Sequence, residues 1–172
     1  LDWANQPDPF RRYEGAELLP LIKIGQTEKP TFSQALKSNK VLACPLNLES
    51  VSQLFFDCLA LSAWKSFQGS KGALRGNPSS GNLHPTEGYL VCGPVQGLTD
   101  KPTIFHYSPE THGLEIRTHF PMETWEKMRL SEDTLFVGLS SISWREAWKY
   151  GQRAYRYCQH DLGHALAALN IS

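Results

Sequence analysis

The sequence has little that would attract it to nucleic acid or to a membrane. Its 17 Lys and Arg balance its 17 Asp and Glu, and the isoelectric point is about 7.2, so no overall field favours an anionic partner. No apolar run approaches the roughly 18 residues that cross a bilayer. Residues 1–5 also lack the basic and apolar regions of a secretory signal. We therefore expect a soluble, cytoplasmic protein with neither nucleic acid nor membrane as a partner.

Cysteine is scarce as well, and the four residues are spread widely without a C-x-x-C pair. Cys58, Cys92 and Cys158 lie in apolar stretches, whereas Cys44 does not. This spacing favours reduced, mostly buried thiols over a disulfide framework. The chain has 172 residues, of which 41% are hydrophobic, which is enough for one buried core.

The chain divides into an arm and a domain. Residues 1–47 are weakly periodic and are interrupted by five prolines, so we expect an extended arm there and one domain over 48–172. The chain begins at Leu1 rather than Met, and it ends at Ser172 inside a helical pattern without a Gly or Pro stop signal. We therefore expect a piece of a longer protein.

Periodicity predicts two helices with short strands between them. The first helix covers about residues 50–65, where Ser50 and Gln53 suit a capping box. The second runs from about residue 144 to the end of the chain. Short β-type runs bounded by turn residues lie between the helices. The predicted strands are residues 89–92, 103–107, 114–117 and 135–139.

The C-terminal helix has two contrasting sides at about 100° per residue. The side that we expect to be buried carries Ala147, Gly151, Ala154, Tyr155, Cys158, Leu162, Ala165, Leu166 and Leu169. The opposite side gathers a cationic stripe of Arg145, Lys149, Arg153, Arg156, His160 and His164. A neutral total charge therefore conceals a local basic edge.

Residues 75–85 form the most turn-rich stretch of the chain. Small residues and hydroxyls follow Arg75 closely, which would let the backbone approach a phosphate or an aromatic cofactor. An ordinary surface loop has the same composition.

Two further patterns on the C-terminal helix are open to more than one interpretation. His160 and His164 are four residues apart, which nearly matches the H-E-x-x-H motif of zinc hydrolases, although no third ligand follows in the last eight residues. Two histidines bonded to neighbours would give the same pattern. Lys149 and Tyr150 suit proton transfer in a partly dry cleft, or they are a solvated charge and a packed ring.

Taken together, three stretches resemble one protein family. Residues 77–89, 141–151 and 153–164 are similar to the SagB-type (azoline dehydrogenase) branch of the FMN-dependent nitroreductases. Residues 105–107 and 114–115 match strands between them, and residues 1–13 resemble the longer bacterial members. The similarity therefore covers most of the chain.

The resemblance implies an α+β three-layer sandwich, with a mainly antiparallel central sheet flanked by helices and incomplete at its C-terminus. It also implies a homodimer that buries FMN and transfers hydride to or from a small or peptidic substrate. Lys149 and Tyr150 fall on the catalytic pair, where a base removes a proton from the carbon beside the ring nitrogen. The implied cofactor-binding residues are Arg75, Pro78, Ser79, Ser80, Gly81 and Asn82, with Arg153 or His164 near flavin N1. We expect no metal.

Two departures from the family pattern leave an alternative open. The Arg-Arg-Ser-x-Arg phosphate clamp of ordinary nitroreductases is not visible in the sequence, and the family's chain continues beyond the Gly163–His164 segment. The main alternative is a non-catalytic member that keeps the fold as an interaction or structural module.

Overall fold

The structure is a computed structural model that describes residues 1–23, 31–37 and 43–172. Part of the predicted arm, including Pro30, lies outside the described residues. The strands are β1 (Leu18–Pro20), β2 (Leu61–Phe67), β3 (Ser70–Arg75), β4 (Thr86–Cys92), β5 (Thr103–Ser108), β6 (Gly113–His119) and β7 (Leu135–Ser141). The α-helices are α1 (Phe32–Ala35), α2 (Leu48–Cys58), α3 (Met122–Lys127), α4 (Ser143–Tyr150) and α5 (Ala154–Ile171). Single 3₁₀ turns cover Trp3–Asn5, Ser80–Asn82 and Gly151–Arg153.

A five-stranded antiparallel sheet organises the domain, in the order β1-β6-β5-β4-β7. The four predicted strands are its four long members, each extended by one to three residues. β1 comes from the predicted arm and pairs Leu18 with Glu115. The arm therefore supplies a sheet strand, and the predicted α+β fold with flanking helices is confirmed.

The first predicted helix is wrong in its second half. The backbone N–H groups of Leu59 and Ala60 both donate to Phe55 O, which ends α2. Residues 61–67 then pair with β3 as a hairpin, because the antiparallel ladder satisfies their backbone groups away from the helix. The helix also starts earlier than predicted, since Asn47 is the N-cap and forms the capping box with Ser50.

The apolar core lies between α2, α5 and one face of the sheet. The rings of Phe55 and Tyr107 stack with centroids 4.6 Å apart, and Leu90, Phe105 and Leu114 are fully buried around them. Burying one such side chain contributes about 1.5–3 kcal/mol. The thiols of Cys58, Cys92 and Cys158 are buried and free, while Cys44 is exposed, as the sequence predicts. Burial raises the pKa of Cys58 to about 12.

The predicted C-terminal helix is broken at Gly151, which has φ +53° and ψ −125°. The break resets the angular phase between α4 and α5, so a single helical wheel over both places some residues on the wrong side. Arg145, predicted in the exposed stripe, is buried, whereas Tyr155 and Leu166, predicted to be buried, are 75% and 55% exposed. Over the described ranges no helix is long and apolar enough to cross a membrane.

Candidate functional site

The turn-rich loop after β3 meets the end of α4. Gly81 adopts the left-handed region with φ +63°. A Cβ built on it would lie 2.6 Å from Tyr150 Oη and 2.9 Å from Lys149 Nζ. A side chain here would be strained at this φ and would require Lys149 and Tyr150 to shift. The fold therefore brings the predicted loop and the predicted Lys-Tyr pair into close contact.

A carboxylate of α5 holds the loop from the other side. Ser79 Oγ donates to Asp161 Oδ2 at 2.8 Å, and Ser80 donates to Asp161 Oδ1 through its backbone N–H and its hydroxyl, both at 3.0 Å. Asp161 is fully buried. In the sequence Asp161 directly follows His160 of the near-zinc motif, and no other role was predicted for it. Its position among the buried residues of α5 was the signal that could have identified it.

The loop is closed by a buried histidine. His84 N donates to Ser79 Oγ at 2.8 Å, and His84 Nε2 contacts Ala73 O at 2.9 Å and Asn82 Oδ1 at 2.8 Å. Burial, with the charge of Arg75 adding to it, lowers the pKa of His84 to about 4. The ring is therefore neutral near pH 7, and Nε2 is the protonated nitrogen that donates to both oxygens.

Arg75 lies inside the fold rather than on the surface of the loop. Its side chain is buried, and its guanidinium donates to Thr86 O at 3.3 Å and to Pro9 O. It also lies 5.6 Å from the ring centroid of Phe10. These contacts join the N-terminal segment to β4, so contact between Arg75 and a cofactor stays a prediction.

The other predicted site residues differ in whether they contact the Lys-Tyr pair. Tyr150 packs against Tyr157 with ring centroids 4.2 Å apart, and the guanidinium of Arg153 lies 5.9 Å from the Tyr150 ring. Burial and the charge of Glu146 raise the pKa of Tyr150, so its phenol is protonated near neutral pH. Pro78 and His164 are exposed, and their contact with a cofactor stays a prediction.

Glu146 is a site residue that the sequence analysis missed. It is fully buried on α4, and neither carboxyl oxygen has a hydrogen-bond partner among the described residues. Burial first, and then the charge of Asp161, raise the pKa of Glu146 to about 7, while Lys149 opposes the shift. Its neighbour Arg145 was placed in the stripe, and no pattern in the sequence singled out the glutamate.

A second buried charge network fixes the start of α4. Arg145 Nη1 donates to His84 O at 2.7 Å and contacts Glu87 Oε1. On the far side Glu87 and Glu115 each contact one ring nitrogen of His106 at 2.8 Å. The network therefore ties α4, the helix that carries Lys149 and Tyr150, to the end of the loop and to the sheet.

The residues of the loop fit a flavin ring better than a flavin phosphate. The backbone of Gly81 is in close contact with Lys149 and Tyr150, and the buried Asn77 beside it in the loop has an Oδ1 atom without a hydrogen-bond partner in the described chain. A ring edge needs donors and acceptors of this kind. The hydroxyls of Ser79 and Ser80 are committed to Asp161, so a phosphate could bind them only by displacing a carboxylate.

The zinc hypothesis finds little support in the geometry. Within the described parts of the chain, no three His, Cys, Asp or Glu side chains converge on a point where a metal could bind. Asp161, which replaces the general-base Glu of the motif, is bound to Ser79 and Ser80.

Comparison with known proteins agrees with the fold. No protein-family model and no curated protein sequence matches this chain. Among solved structures, it is 29% identical to a candidate nitroreductase from Anabaena variabilis, with a TM-score of 0.74 over 98% of this chain and 33% of that protein. This chain therefore spans about a third of that protein's length.

Two more distant structures share the fold. One is the Escherichia coli microcin synthetase McbBCD complex with truncated pro-MccB17 bound, at 18% identity and a TM-score of 0.56, covering 91% of this chain and 63% of that one. The other is a candidate nitroreductase from Ralstonia eutropha, at 14% identity and a TM-score of 0.60, covering 95% and 79%. The antiparallel sheet, its flanking helices and these neighbours show that the chain has a nitroreductase-like α+β fold.

Proposed function

We propose that this chain is part of an FMN-dependent oxidoreductase of the SagB-type dehydrogenase kind, which transfers hydride between the flavin and a small or peptidic substrate. The observation that carries the proposal is the approach of Gly81 to Lys149 Nζ and Tyr150 Oη. The flavin, when bound, supplies the hydride acceptor or donor. We further propose that the protein works as a homodimer.

The chain's own residues would hold and move a proton. Lys149 and Tyr150 present an amine and a phenol at the same point beside the loop. The free amine of Lys149 would accept a proton from a substrate carbon next to nitrogen, and the protonated phenol of Tyr150 would donate a hydrogen bond. The guanidinium of Arg153 lies 5.9 Å from the Tyr150 ring centroid, and its positive charge would favour binding of an anionic cofactor beside the Lys-Tyr pair. The backbone of residues 78–82 and the Asn77 amide would contact the ring edge.

One fold neighbour supports a peptidic substrate. The microcin synthetase complex holds truncated pro-MccB17, and in this chain Lys149 and Tyr150 are half-buried, so part of each side chain is open to solvent. At this level of identity the neighbour supports the fold, and the substrate class is our proposal.

The experiment compares two glycine variants by flavin absorption after gel filtration with added FMN. Gly81→Ala places a methyl group on Tyr150 and Lys149 at a positive φ, so we expect flavin retention to fall about tenfold or more. Gly163→Ala is the matched control, because a Cβ there meets open space. Equal retention by Gly81→Ala and wild type would contradict the proposed site.

A non-catalytic module is the second candidate, and one observation favours it. The donors of Ser79 and Ser80 are satisfied by Asp161 without any cofactor, so the loop is held in place by the chain alone. A colourless wild-type protein whose melting temperature does not rise with added FMN would support this candidate.

A further inference from the structure

Glu146 lies on the same helix as the Lys-Tyr pair, one turn before it. It precedes Lys149 by three residues and Tyr150 by four on α4, and residues at these spacings share one face of a helix. Its side chain is completely shielded from solvent. The helix therefore carries a buried carboxyl one turn from the groups that we propose to be catalytic.

The groups around Glu146 separate the roles of two carboxyls. Asp161 on α5 receives hydrogen bonds from Ser79 and Ser80, so both of its oxygens have donors. Glu146 has no such donor among the described residues, and two neighbouring carboxyls resist ionising together. Burial without a donor, together with the neighbouring Asp161, therefore favours the neutral form of Glu146.

The other titratable groups near Glu146 leave one cation to interact with it. On α5, Glu146 interacts electrostatically with Asp161 and with the Cys158 thiol. On its own helix it interacts in the same way with Lys149 and Tyr150. Lys149 alone among these favours the carboxylate. Arg153, in the 3₁₀ turn, faces Tyr150 instead.

We propose that Glu146 is a positioning residue that stores the proton handled by Lys149, an inference that rests on the proposed function. One proton passes between the two groups. In one direction the carboxyl O–H bond breaks and an N–H bond forms on Lys149 Nζ, which turns an acid and an amine into a carboxylate and an ammonium. In the other direction the reverse occurs.

Burial explains why such a pair suits this site. The acid-amine and carboxylate-ammonium forms both have zero net charge, so a poorly solvated site can hold either one without an uncompensated ion. Glu146 and Lys149 Nζ are not hydrogen-bonded in the structure, so the exchange requires the flexible four-carbon stem of Lys149 to carry its amine from Gly81 to the carboxyl. The raised pKa of Glu146, about 7, is consistent with a group that gains and loses a proton near neutral pH.

Infrared spectroscopy tests the protonation of Glu146 without any flavin. Ordinary Asp and Glu titrate near pH 4, so the carbonyl band of a carboxylic acid that disappears near pH 7 reports a perturbed group. We expect such a band in the wild type and in the exposed control Glu126→Gln, and no band in Glu146→Gln. Absence of the band from the wild type, or its persistence in Glu146→Gln, would overturn the proposal.

A second variant tests the coupling and keeps Glu146 intact. Removing the Lys149 charge in Lys149→Met should move the midpoint of the Glu146 band to higher pH, because that charge lowers the pKa of Glu146. An unchanged midpoint would overturn the exchange even if Glu146→Gln fails to fold. Flavin absorbance of the same samples separates the two ideas: colourless protein with the band and the shift refutes the proposed function alone. Flavin-loaded protein without the band refutes this inference alone.

Discussion

Replacing Arg145 by Met should strongly destabilise the fold. Arg145 is buried and donates to His84 O and to the Glu87 carboxylate. Met has no charge and cannot donate a hydrogen bond, so Glu87 would remain buried with His106 as its hydrogen-bond partner at 2.8 Å and with Arg75 as the more distant positive charge. The perturbation therefore isolates the loss of one buried charge.

The expected cost follows from the burial of both partners, whose side chains are 4% and 0% exposed. Removing one member of a buried ion pair costs roughly 3–5 kcal/mol, because an uncompensated charge stays behind. Burial alone would raise the pKa of Glu87, but His106 and Arg145 outweigh it and lower that pKa. Glu87 therefore stabilises the wild type above its ordinary pKa, and this stabilisation is lost as the pH falls through its lowered folded value.

Urea unfolding near neutral pH measures the effect. The control is Arg156→Met, at an exposed position of α5, where we expect a change within about 0.5 kcal/mol. Adding Glu87→Gln to Arg145→Met should cost less than the sum of the single changes, by about 1–3 kcal/mol. Equal costs for the two arginine variants, or strict additivity in the double variant, would refute the reasoning.

Three further predictions concern the N-cap of α2 and the two buried carboxyl groups of Asp161 and Glu146. Asn47→Ala removes the N-cap acceptor of α2 and should lower the free energy of unfolding by about 1 kcal/mol in urea; no loss would contradict the cap. Asp161→Asn leaves one oxygen for three donors, so it should cost about 1.5–3 kcal/mol and lower the infrared midpoint of Glu146, whereas an unchanged midpoint would show that the carboxyls do not interact. Because the pKa of Glu146 rises on folding from 4.5 to about 7, the wild type should lose roughly 3 kcal/mol relative to Glu146→Gln between those pH values and no more above them. Parallel pH profiles of unfolding for the two proteins would contradict that shift.

Local pattern predicted the sheet well and the helices less well. Short β-type runs between turn residues predicted the four long strands, and β4 to β7 include those runs. The segment around Leu61 has apolar spacing that also fits a helix, and only its pairing with residues 70–75 makes it a strand. Gly151 interrupts the C-terminal helix at a position where the apolar pattern continues, so periodicity alone did not reveal the break.

The sequence predicted several residues of the candidate site, but not the hydrogen bonds that hold them. The composition of the loop and the adjacent Lys149 and Tyr150 are visible in the chain, and the structure places Gly81 against both. The partners of Ser79, Ser80 and Arg75 were not predicted, because each is bound by a group far away in sequence.

The amino-acid order by itself determined the turn-forming loop, the apolar strands and the charged helix, since each depends on neighbouring residues. Tertiary structure alone decided which charges became buried and paired: Arg145 with Glu87, Asp161 with two serines, and Glu146 with no donor in the described chain. Helical periodicity describes the sides of one helix relative to each other. It does not predict from which side a second segment packs against that helix. The packing of such segments determines how far each buried charge is removed from water and which groups are its partners.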